Sequence, residues 1–153
     1  MHVHSTYSYD GKESLSSLRD FLIHKGITFC CVTEHTNQMT TKYAQMFIQE
    51  CRSLSGSQFV FIPGFEVPYR NAHMLLIGTE SFLGQQADAD MLRSWSQKTA
   101  LTILAHPVRN KFKLDEVMEK VMVGVEIWNQ QYEGKLMPRM HSAGLLRNLQ
   151  QQK

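Results

Sequence analysis

Residues 27–35, Ile-Thr-Phe-Cys-Cys-Val-Thr-Glu-His, are almost continuously apolar and then end in two polar side chains. A short run of β-branched and aromatic residues opening just after Gly26 predicts a strand over Ile27–Thr33, buried on both faces, that delivers Glu34 and His35 at its end. On its N-terminal side, Glu13–His24 has helical spacing. Leu15, Leu18, Phe21 and Leu22 share a face, with Ser14 as N-cap and Gly26 as C-terminal stop. On its C-terminal side, 40–53 predicts a second helix, with Tyr43, Phe47 and Leu54 roughly aligned and Met46 beside them.

The same alternation continues in both directions. A buried strand over Phe59–Ile62 runs on through Pro63-Gly64 to Glu66, and Tyr69-Arg70-Asn71-Ala72 reads as a hairpin connection into a strand over Met74–Ile77 opened by His73. A third helix is expected over Asp88–Lys98. A buried strand over Leu101–Ala105 then ends in His106-Pro107, and a fourth helix covers Leu114–Val121. A strand over Val123–Trp128 and an amphipathic helix over Leu136–Leu149 complete the pattern, with Met140, Leu145, Leu146 and Leu149 on that helix. Upstream, His2 and His4 lie two apart, so in an extended chain both imidazoles face one way. The order βαβαββαβαβα predicts an α/β fold on a mostly parallel sheet or barrel, with about six strands and no internal repeat.

Composition narrows the class. At 153 residues, with 42% hydrophobic and 20% charged residues, the chain suits one domain with a real core. A net charge of +2 argues for neither nucleic acid nor a membrane surface, and no apolar run approaches the length of a membrane span. Cys30, Cys31 and Cys51 are odd in number and lack metal-site spacing, so they read as reduced packing residues of a cytoplasmic protein.

In α/β folds of this kind the functional site forms at the C-terminal ends of strands. His4, His35, Glu66, His106 and Glu126 fall at or near such ends. The hairpin brings His73 to the same rim, where it is expected to face Glu66. Singly, each has an ordinary reading: His35 as a helix cap, His73 as a turn residue, His106 as a residue before proline. Together, histidines and carboxylates gathered at one rim have the chemistry of a site for zinc, manganese or iron. His24, in the last turn of a helix, and His141, mid-helix, read as structural or solvent-facing.

HVHSTYSYDG, VTEH, PGFEV, AHMLLIG and AHP, in this order, resemble the motifs of the polymerase and histidinol phosphatase (PHP) family, and GVEIWN followed by YEGKLMPR is similar to the stretch that follows. The resemblance implies a distorted TIM-like β/α barrel, seven-stranded in the family, with two or three divalent metals at its C-terminal rim. It implies hydrolysis of a phosphate ester by metal-activated water. Carried over by position, His2 and His4 match ligands of a first metal. Glu66 matches the carboxylate bridging first and second metals, His73 and His106 the second metal's histidines, and Asp10 and His35 ligands of a third. Glu66, His35 and Arg109 are the expected catalytic residues. Arg109 would hold the phosphate of a small ester substrate, and His35 or His106 would take part in proton transfer. Arg70 reads as a surface arginine.

The family pattern closes with Asp-x-His, and no aspartate here is followed two positions later by histidine. The expectation is therefore one PHP-like domain over 1–153 lacking the final strand and motif, with fewer metals or a ligand supplied from elsewhere. An open barrel edge of this kind would favour self-association. Two alternatives stand beside the hydrolase: a degenerate PHP module that binds metal weakly without catalysis, and a 3′–5′ exonuclease. Only the small Arg109, Lys111, Lys113 cluster offers nucleic acid a basic surface, which disfavours the last.

Overall fold

The structure is a computed structural model that describes residues 2–111, 113–127 and 129. Its elements follow in chain order: α1 (Leu15–His24), β1 (Phe29–His35), α2 (Thr41–Leu54), β2 (Val60–Tyr69), β3 (Ala72–Ile77), α3 (Ala89–Ser96), β4 (Leu101–Ala105), α4 (Glu116–Val121) and β5 (Gly124–Val125). Each helix starts where a side-chain oxygen meets an orphan amide. Ser14 accepts from the Ser17 N–H, Thr40 from Tyr43, Asp88 from Met91, and Asp115 from both Val117 and Met118. Gly26 closes α1 at φ 72°, as expected of a C-terminal stop. Among the described residues no helix is long and apolar enough to cross a membrane.

The strands form one sheet in the order β1-β2-β3-β4-β5. β1 and β2 are parallel, β3 is antiparallel to both neighbours, and β4 and β5 are parallel. Four strands therefore run one way and β3 alone runs back. The two-residue turn Arg70-Asn71, with Arg70 at φ 51°, makes that reversal. The sheet is mixed where a mostly parallel one was expected, but only through this hairpin.

Several boundaries differ from the sequence reading. Residues 2–5 lie beside β1 without forming a sixth strand. One rung is made, from the Thr33 N–H to the Val3 carbonyl at 2.9 Å, but the Ser5 N–H turns to the Glu34 carboxylate instead of to the ladder. β1 begins at Phe29, leaving Ile27 in the turn after Gly26, and Phe29 itself is 56% exposed. β5 covers only Gly124–Val125 of the expected Val123–Trp128. Trp128, the expected helix over 136–149 and His141 lie outside the described residues.

Both sheet faces are buried, by different partners. One face carries Cys30, Val32, Phe61, Phe65, Val67, Met74, Leu76 and Leu104, part of the large core that Phe47, Ile48 and Leu92 of the helices complete. The other carries a smaller cluster of Cys31, Leu75, Ile77, Ile103 and Ala105 with Ile62 packed on it. Side chains alternate along a strand, so His35, Glu66 and His73 share this second face, directly beyond the small cluster. Glu34 falls on the first. All three cysteines are buried and free, as packing residues should be.

Candidate metal centre

Glu66 is the centre of the site. Its backbone is paired with His35 of β1, and the carboxylate is 1% exposed. Gly64 lets β2 reach this register: a Cβ there would lie 2.8 Å from the Leu76 carbonyl oxygen. Five imidazoles then converge on one carboxylate. Oε1 meets His73 Nδ1, and His106 Nε2 at 2.8 Å. Oε2 meets His2 Nε2 at 2.9 Å, His4 Nε2 at 3.2 Å and His35 Nδ1 at 3.4 Å. His73 pairs across the hairpin with Pro68, two residues from Glu66, the diagonal spacing at which long side chains meet.

Asp10 extends the cluster on one side. Its Oδ2 lies 3.3 Å from His35 Nε2, and the His35 ring stacks on His4 at 4.4 Å and on Tyr9 at 4.8 Å. Three groups bring one ligand atom from each member within 4.8 Å of the others: His2, His4 and Glu66; His4, Asp10 and His35; His35, Glu66 and His73. The structure thus brings together every metal-ligand residue read from the sequence. It differs in grouping, since His35 and His73 share a set with Glu66, while His106 joins through its contact with Oε1.

Two carboxylates in the supporting layer were not assigned from the sequence. Glu126, recognised only as a polar residue at a strand end, accepts at Oε1 from His2 Nδ1 at 3.1 Å and at Oε2 from the His106 backbone N–H at 2.6 Å. His106 sits at φ 27°, a region L-residues rarely adopt, so this bond holds a strained backbone. Glu34 is fully buried and accepts from Ser5 N–H at 2.9 Å, from the Ser5 hydroxyl at 2.5 Å and from the Ser8 hydroxyl. That hydroxyl in turn accepts from the His35 N–H at 2.8 Å. A glutamate closing a buried run was the available signal for Glu34.

The electrostatics follow from crowding. Burial works to raise the Glu66 carboxyl, but hydrogen bonds from His106, His2, His4 and His73 overcome it and hold the group below the ordinary carboxylate range. Burial opposes the charged form of His2, yet Glu126 and Glu66 raise its pKa from 6.5 to about 9. For His35 burial prevails over the nearby carboxylates and lowers its pKa. Glu34 is pushed up by burial despite its serine donors.

This donor set fits divalent cations. A carboxylate offers about four lone-pair directions, yet five ring nitrogens point at it. His2 and His35 each turn both ring nitrogens to carboxylates, which only imidazolium could satisfy by donation, and their rings lie against His4 with centroids 5.0 Å and 4.4 Å apart. Cations among these atoms remove the conflict, because neutral imidazole and carboxylate both bind them as acceptors.

Arg109 lies at the edge of the cluster, its Nη1 3.0 Å from His73 Nε2, placed by a turn whose Arg109 N–H donates to the His106 carbonyl. Arg70 pairs instead with Asp115 at 2.8 Å, the surface role expected of it. His24 is exposed in the last turn of α1.

The profile of the PHP domain family matches residues 1–151. No curated protein sequence matches the chain. Among solved structures, a two-domain protein from Bacteroides vulgatus containing a predicted PHP-like metal-dependent phosphoesterase is similar, with a TM-score of 0.63 and 19% identity. The match covers 82% of this chain and 42% of that one, so the chain spans less than half the length of its structural relative. At this identity the likeness speaks for the fold.

Proposed function

The chain belongs to the PHP domain family, and on that premise we propose that it hydrolyses a small phosphate ester with divalent cations held around Glu66. The observation that carries this reading is the convergence of five imidazoles on the one buried carboxylate. Glu66 would be shared between cations, with His2 and His4 on one side and His73 and His106 on the other, while Asp10 and His35 supply a further set. Zinc, manganese and iron all suit such ligands. The cations would polarise a phosphoryl oxygen and lower the pKa of a water.

The remaining steps belong to side chains. Arg109 leaves His73 to donate N–H bonds to the phosphate oxygens, where a guanidinium fork neutralises charge as it develops. His35, kept below its ordinary pKa chiefly by burial, is held toward the neutral form that a cation ligand needs. Glu34 and Glu126 fix the loop and the rings from behind. We also read the sheet as part of a distorted β/α barrel, because its second face carries an apolar cluster of its own beneath the site, as a barrel interior does.

Hydrolysis of p-nitrophenyl phosphate tests the reading. Turnover should be abolished by chelation, restored by manganese or zinc, and lost in His73→Ala; Arg109→Ala should raise KM more than it lowers kcat. Turnover indifferent to both chelator and His73→Ala would overturn it.

A further inference from the structure

Beside the cluster lies a cavity of about 220 Å³ that shares His35 with the site. Tyr7, Tyr9 and Tyr43 give it aromatic walls, and Asn37 and Gln38 also line it. The Tyr9 ring, 67% exposed, is stacked on His35, and Tyr43 packs on Tyr7 at 4.8 Å. The Tyr43 hydroxyl is tethered to the Thr6 carbonyl at 3.4 Å and that of Tyr7 to Glu50 at 2.7 Å. Two of the walls are thus braced before any ligand arrives. Among the described residues no aspartate, glutamate, lysine or arginine lines the cavity.

We propose that this cavity receives the alcohol portion of the phosphate ester, and that this alcohol carries an uncharged ring. The inference rests on the phosphoesterase reading above. A volume below the roughly 300–1,000 Å³ of sites for drug-sized ligands suits one ring and little more. Tyrosine faces bind rings by stacking with centroids about 4.5–7 Å apart, and the Asn37 and Gln38 amides offer both donors and acceptors to groups on the ring edge. Among the tyrosine faces no lysine or arginine side chain would meet a second phosphate or a carboxylate on the alcohol, so lodging one there costs desolvation without a side-chain counter-charge. With phosphate at Arg109, the ester bond would lie over Glu66 and the alcohol would pass across His35 into the cavity.

The test compares kcat/KM for benzyl phosphate, glucose 6-phosphate, ethyl phosphate and 3-phosphoglycerate. The two ring esters should each exceed ethyl phosphate by roughly tenfold, about the worth of one aromatic contact, and 3-phosphoglycerate should be the poorest. Benzyl phosphate ahead of the sugar ester would assign the cavity to an apolar ring, and the reverse order to a hydroxylated one. Tyr9→Ala and Tyr43→Ala should each cut the ratio of ring ester to ethyl phosphate severalfold, a readout that overall loss of activity does not move. Equal rates for all four esters, or ratios unchanged in both variants, would overturn the proposal. If no ester is hydrolysed, the phosphoesterase reading fails on its own, and binding of benzylphosphonate against methylphosphonate decides the cavity. Weaker benzylphosphonate binding in Tyr9→Ala supports the proposal, and equal affinity for the two phosphonates refutes it.

Discussion

Glu126→Ala removes a side chain that supports His2 and His106 from behind without belonging to any of the three metal-ready groups. One of its oxygens fixes His2 through Nδ1 and leaves Nε2 turned to Glu66 at 2.9 Å. The other accepts from the His106 N–H at 2.6 Å, where the backbone is held at φ 27°. The substitution therefore frees a ring to rotate and releases a strained peptide together. Outer-layer partners of metal-binding histidines are worth about 10–100-fold in metal affinity, or about 1.4–2.7 kcal/mol. Because both contacts go at once, Glu126→Ala belongs at the upper end of that range. Glu126→Gln, which keeps an acceptor for one contact, belongs at the lower end. Competition against a chromophoric chelator measures both, and circular dichroism checks that the fold survives. His2→Ala combined with Glu126→Ala should cost less than the sum of the two, since they act partly through one ring. Metal affinity within twofold of the parent in a folded Glu126→Ala protein would refute this reasoning.

Other perturbations follow from the same geometry. Glu34→Ala strands the Ser5 amide and the Ser5 and Ser8 hydroxyls in a fully buried position; at about 1–3 kcal/mol for each unsatisfied group, thermal melting should fall by roughly 10 °C, and an unchanged midpoint would contradict the account. Gly11→Ala would place a Cβ 1.8 Å from the Ser5 carbonyl oxygen, forcing the loop that carries Asp10 to move. Metal binding and melting temperature should drop together, against no change if the loop is plastic. In the metal-free protein, His2 is raised from 6.5 to about 9, so the folded state binds the extra proton between those values. Its contribution is complete below the lower value and is lost as pH rises through the upper one. Urea midpoints of the chelated protein should fall across that window, and more steeply than in His2→Ala; identical profiles would exclude the His2–Glu126 and His2–Glu66 pairs as the cause.

Much of this site was legible because strand-ending polar residues stand out against apolar runs. His35, Glu66 and His106 each close a run or follow one, and the Arg70-Asn71 turn told that His73 returns to the same rim. The helices were readable from caps at Ser14 and a glycine stop at Gly26. What the sequence concealed was competition for hydrogen bonds. Ser5 has an ordinary strand-forming context, but its N–H goes to Glu34, and a sixth strand is lost to a carboxylate acceptor. The supporting roles of Glu34 and Glu126 were likewise hidden, since a strand-ending glutamate does not announce its partners: Ser5, Ser8, His2 and His106 lie 20 to 124 positions from them. The regrouping of His35 with Glu66 and His73 depends on ring placement, which no spacing rule encodes.

The central claim is that Glu66 organises cations that the chain uses on a phosphate ester. Elemental analysis of the purified parent and of Glu66→Ala, with p-nitrophenyl phosphate hydrolysis measured on the same samples, tests it most directly. The account predicts two or more divalent metals per parent chain with turnover, and loss of both metal and turnover in Glu66→Ala. A Glu66→Ala protein that keeps its metal content and its activity would contradict it.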